Sequence, residues 1–84
     1  MSDILIYSKD YCPYCQAAKA LLTKKNAKFT EVDILVHPEM RSEMLKASGG
    51  KSSVPQIFIN GTYIGGSDDL HALDKAGKLD AMLK

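Results

Sequence analysis

Ile4-Leu5-Ile6-Tyr7-Ser8-Lys9-Asp10-Tyr11-Cys12-Pro13-Tyr14-Cys15 runs an apolar segment straight into a closely spaced cysteine pair, and its reading decides the fold. Ile4-Leu5-Ile6-Tyr7 is continuous and β-favouring, as expected of a strand buried on both faces. Pro13 suits the first turn of a helix, where its missing N–H costs nothing. Ala17, Ala18, Leu21 and Leu22 continue that helix as an apolar stripe, which ends near Lys24, Lys25 and Asn26. Cations at that end suit the negative pole of the helix. Residues 29–34 alternate apolar and acidic side chains and read as a half-exposed strand. Strand, helix and strand within about 30 residues make a right-handed βαβ unit with parallel strands.

The remaining chain adds to that unit. Pro38 is expected to start a second helix with Met40, Met44, Leu45 and Ala47 on one face, ended by Ser48-Gly49-Gly50. Residues 56–59 and 62–64 flank Asn60-Gly61, the strongest short signal for a β-hairpin. Gly65-Gly66 breaks the second hairpin strand, and Ser67 or Asp68 can cap a third helix carrying Leu70, Leu73 and Ala76. The tail from Lys78 to Lys84 adds a last helical turn. The expected class is α/β: a four-stranded mixed sheet flanked by helices, in a single domain over residues 1–84.

Composition limits what such a domain does. Of 84 residues, 45% are hydrophobic and 25% charged, with a net charge of +1, which is ordinary globular composition. That balance argues against an electrostatic nucleic-acid binder or a polybasic membrane anchor. No apolar run approaches the roughly 18 residues that span a bilayer. Met1-Ser2-Asp3 enters a short apolar run directly, so no signal peptide is expected and the location reads as cytoplasmic.

Two cysteines separated by two residues cannot staple a fold, because the loop they close is almost nothing. A zinc site would need two further ligands, and the two histidines, His37 and His71, lack the paired spacing. A redox pair fits the position between a buried strand and a helix start. Cys12 precedes the first turn, whose free N–H groups and dipole favour negative charge on its sulfur. Lys9, three residues earlier, adds attraction. The thiolate is the nucleophile in disulfide exchange. Cys15, one turn further in, is read either as a resolving thiol that attacks a mixed disulfide on Cys12 or as a small buried hydrophobe.

Cys12-Pro13-Tyr14-Cys15, Ser53-Val54-Pro55 and Gly65-Gly66-Ser67-Asp68-Asp69 occur in the order of three glutaredoxin motifs. The chain resembles the dithiol glutaredoxins, most of all the small bacterial members, over nearly its whole length. The resemblance implies a thioredoxin fold, a cis peptide before Pro55, hairpin strands antiparallel to the first strand, and glutathione as reductant. It also implies Cys12 as nucleophile, Cys15 as resolving thiol, and a glutathione site made by Lys9, Tyr14, Val54, Pro55, Ser67 and Asp68. No metal or bound prosthetic group is expected.

A cis Val54–Pro55 bond would present Val54's backbone to an extended cysteinyl segment. The N–H groups at Ser67 and Asp68 would take the γ-glutamyl carboxylate, and the Asp68 side chain its ammonium. Lys9 would face the glycine carboxylate, with Tyr14 beside it. On the residues alone, Pro55 also reads as the start of an edge strand, Asp68 as a helix cap and Lys9 as a solvated lysine. Ser53 replaces the usual threonine, Ser67 stands where many relatives carry cysteine, and Gly49-Gly50-Lys51 is about one residue longer. Expected partners are glutathione and glutathionylated or disulfide-containing proteins, with the chain acting as a monomer. A thioredoxin-like enzyme is disfavoured because its usual Trp-Cys-Gly-Pro-Cys is absent and the chain has no tryptophan. An iron–sulfur carrier is disfavoured by the stiff Pro13.

Overall fold

In the computed structural model, which describes residues 3–83, the first apolar run forms β1 (Ile4–Ser8) at the centre of the sheet. The other elements are α1 (Pro13–Lys24), β2 (Thr30–Asp33), α2 (Met40–Ala47), β3 (Gln56–Ile59), β4 (Thr62–Gly65), α3 (Ser67–Lys75) and α4 (Leu79–Met82). Met1, Ser2 and Lys84 lie outside the described residues. The four strands are ordered β2-β1-β3-β4. β1 pairs with β2 in parallel and with β3 antiparallel, and β3 pairs antiparallel with β4. The sheet is therefore mixed, as expected. One expectation needs correction: β4 runs with β1, not against it, because a hairpin reverses the chain between β3 and β4.

Each face of the sheet has its own core. Ile4, Ile6, Ile57 and Ile59 meet Ala18, Leu21 and Leu22 of α1, Leu70 of α3 and Leu79 of α4 on one face. Tyr7 and Phe58 meet Ile34 and Met44 of α2 on the other. Successive strand residues point to opposite faces, so a central strand covered twice must be apolar throughout. On α1, Cys15 joins Ala18, Leu21 and Leu22 in the buried stripe, whereas Ala17 faces solvent. Asn60 and Gly61 both take positive φ, 52° and 81°, as a two-residue turn of the hairpin type requires.

Two helix starts differ from expectation. Pro38 lies in a turn, with the Met40 N–H bonded to the His37 carbonyl, and α2 begins at Met40. Gly66, not Ser67 or Asp68, is the N-cap of α3, and Ser67 is its first helical residue. The capping carboxylate comes from Asp69, which accepts the Gly66 N–H at 3.0 Å. Asp68 is thus released from capping.

Candidate active site

The loop leaving β1 turns sharply at Tyr11, φ 60°, and delivers Cys12 as the N-cap of α1. Its backbone is extended and its carbonyl already accepts the Gln16 N–H at 3.0 Å. Its sulfur accepts the Cys15 N–H at 3.2 Å, so an otherwise free donor of the first turn is spent on the sulfur itself. On its other side the Cys12 thiol reaches the Val54 carbonyl at 3.8 Å. The two thiols are not joined in a disulfide.

Cys15 has no exposed surface. Burial pushes its thiol up, to about 12, and the hydrogen bond to Cys12 adds to this. The Lys9 backbone N–H and the charge of Lys19 pull in the opposite direction. The two thiols are therefore unlike: one holds a helix terminus at the surface loop, the other is sealed beneath it as a neutral group.

The Val54–Pro55 peptide is cis, as the resemblance implies. It lines a cleft of about 300 Å³ together with Tyr14, Ser67 and Asp68. Five of the six residues expected to bind glutathione thus share one cleft. Lys9 is not among its lining residues; it stands exposed in the loop after β1. Lys51, Ser53, Gln56, Tyr63, Gly66 and Asp69 complete the lining.

Gln56 and Tyr63, which belong to no motif, fix one wall. The Gln56 side chain, buried in an otherwise apolar strand, donates to the Ser53 carbonyl at 2.8 Å and the Ser53 hydroxyl at 3.2 Å. Its oxygen accepts the Tyr63 hydroxyl at 2.6 Å. A polar residue opening a buried run was the available signal, because a buried amide must find partners.

The far wall depends on Gly65. Its φ is +117°, and a Cβ there would overlap the Asp69 carboxylate that caps α3. Gly65→Ala is therefore expected to destabilise the protein by about 2–4 kcal/mol, through backbone strain and a displaced cap. Urea denaturation tests this: the midpoint should fall at unchanged m. An unchanged midpoint would mean that Asp69 moves aside without cost.

Among the described residues, no three His, Cys, Asp or Glu side chains are grouped to hold a metal ion. The glutaredoxin family model matches residues 4–64, spanning both the cysteine pair and the cis-proline segment. The chain belongs to the glutaredoxin family. Glutaredoxin 3 of Escherichia coli K12 is 51% identical over 84 residues, the whole of both chains. A glutaredoxin of Pseudomonas aeruginosa is 48% identical over 83 residues, 99% of this chain and 98% of that one. Among solved structures, a Brucella melitensis glutaredoxin is similar with a TM-score of 0.83 at 51% identity, covering 98% of this chain and 88% of that one. A buckwheat glutaredoxin–glutathione complex gives 0.87 at 29% identity, covering 98% and 76%. The fold is that of the glutaredoxins, and the family's chemistry is thiol–disulfide exchange.

Proposed function

We propose that this glutaredoxin is a glutathione-dependent oxidoreductase that reduces glutathione mixed disulfides and protein disulfides in the cytoplasm, acting as a monomer. The observation that carries this reading is the meeting of Cys12 with the cleft. Its sulfur touches Val54, and Val54 borders a cleft with the N-terminus of α3 and an uncommitted Asp68 carboxylate at its far wall. Glutathione has complementary parts: a cysteinyl sulfur in an extended backbone, and an α-carboxylate and ammonium on its γ-glutamyl end. The buckwheat relative, solved as a glutathione complex, supports the same assignment.

In the one-thiol route, Cys12 thiolate attacks the glutathionyl sulfur of a substrate. The substrate's thiolate leaves and takes up a proton, and Cys12 holds a glutathionyl group. A second glutathione thiolate attacks that group, giving glutathione disulfide and restoring Cys12. For a protein disulfide, Cys12 forms a mixed disulfide and Cys15 displaces the second substrate thiol, closing the Cys12–Cys15 bond. Two glutathiones reopen it. Val54 would align the cysteinyl backbone, Tyr14 and Pro55 would flank it, and Ser67 and Asp68 would hold the γ-glutamyl end. Lys9 would act from outside the cleft, on the glycine carboxylate.

Asp68 tests this reading. An exposed charge pair contributes about 1 kcal/mol or less. Asp68→Ala should therefore weaken use of glutathione several-fold, and Asp68→Lys more, by repelling the ammonium. Single-turnover reaction with hydroxyethyl disulfide, which carries no charge, should be preserved. Equal losses with both would indicate damage to the start of α3, and no loss with either would remove Asp68 from the site.

A further inference from the structure

One charged group beneath the cysteine pair has no part in the exchange described so far. Ile6 and Ser8 lie on the face of β1 covered by α1, and Glu31 is the β2 partner of Ile6 on that same face. Ser8 is fully buried, and its hydroxyl donates to the Glu31 carboxylate at 2.6 Å. The same carboxylate oxygen takes the Lys19 ammonium at 2.9 Å. Lys19 follows Cys15 by one helical turn, so it stands beside the sealed thiol on the same flank of α1. A buried serine and an ion pair thus hold a positive charge one helical turn from Cys15.

We propose that Lys19 is a positioning residue for Cys15: anchored by Glu31 and Ser8, its ammonium favours the thiolate that closes the Cys12–Cys15 bond. This rests on the reading of Cys15 as the resolving thiol. In the closing step Cys15 gives its proton to solvent, its sulfur attacks Cys12, and the bond from Cys12 to the departing thiol breaks. That thiolate leaves and is protonated. Cys12 is neutral in the mixed disulfide, so the charge that forms first is on Cys15. Burial opposes that charge most, and the groups that favour it are the Lys9 backbone N–H and the charge of Lys19. Glu31, held as a carboxylate first by the Ser8 hydroxyl and then by Lys19, offsets part of that charge, with Asp33 nearby on the same strand. The opposing carboxylate gives the proposal its distinguishing feature: loss of the cation and loss of its counter-ion must act in opposite directions.

Stoichiometric 4,4′-dithiodipyridine, an uncharged disulfide, separates the two steps in a stopped-flow trace. The first thiopyridone marks attack by Cys12 and scales with probe concentration. The second marks closure by Cys15 and does not. Lys19→Met is expected to slow the second phase about fivefold, the effect of a partly exposed charge one turn away, and to leave the first within about twofold. Lys19→Arg should restore it. Glu31→Gln, which keeps the shape and the hydrogen-bonding oxygen, should speed the second phase. Cys15→Ser is the control and should release one thiopyridone. A second release from it would overturn the resolving role itself. One release there, with Lys19→Met and Glu31→Gln both slower or both unchanged, would overturn the role of Lys19 alone, since loss of an ion pair for structural reasons gives the same sign twice.

Discussion

Cys12→Ser is expected to abolish reduction of every disulfide substrate, by at least about a thousandfold, because a hydroxyl is neither nucleophile nor leaving group in disulfide exchange. The structure separates this from unfolding. Cys12 is the N-cap of α1 and its sulfur accepts the Cys15 N–H. Serine is among the preferred residues for that position and can accept the same bond. The variant should therefore keep its urea midpoint while losing turnover with glutathionylated protein and with protein disulfides alike. Residual activity above about a tenth of wild type would place the nucleophile elsewhere.

Cys15→Ser should divide the two routes. Deglutathionylation needs one thiol and should persist, whereas reduction of a protein disulfide should fall about ten- to a hundredfold as the mixed disulfide on Cys12 waits for an external thiol. A pH signature accompanies this change. Burial raises the Cys15 thiol in the folded chain above its ordinary value of 9.0, so the folded state keeps a proton that the unfolded state gives up. Stability from this group is full below pH 9 and is lost as pH climbs toward the folded value. Wild-type reduced protein should lose up to about 1.4 kcal/mol more per pH unit than Cys15→Ser between pH 9 and 10. Tyr7 and Tyr63, also raised by burial, act above that window in both proteins. Parallel stability curves for the two would mean that Cys15 ionises freely, which its complete burial does not allow.

Much of this arrangement was legible in the residues. The apolar run of β1 reads as a strand covered on two faces, and Asn60-Gly61 as a tight hairpin turn, because both signals come from local geometry. The site was legible where a motif imposes a backbone shape, as at Cys12, Val54 and Pro55. It was less so where the assignment depends on which residue wins a cap. Ser67, Asp68 and Asp69 are all plausible partners for the free N–H groups of α3; the left-handed turn at Gly65 brings Asp69 into that role and leaves Asp68 facing the cleft. Lys51, Gln56 and Tyr63 were missed because their places follow from strand pairing and from the cleft wall, not from any spacing along the chain. The ion pair of Lys19 with Glu31 is hidden for the same reason: it joins α1 to β2 across the sheet face.

Transfer of electrons from glutathione through Cys12 is the step on which the proposed function stands. It is tested most directly by following NADPH oxidation with glutathione, glutathione reductase and a glutathionylated protein such as glutathionylated albumin. The expected result is steady NADPH consumption proportional to this protein, absent without glutathione and absent with Cys12→Ser. Equal consumption with a thioredoxin reductase in place of glutathione and its reductase would contradict it.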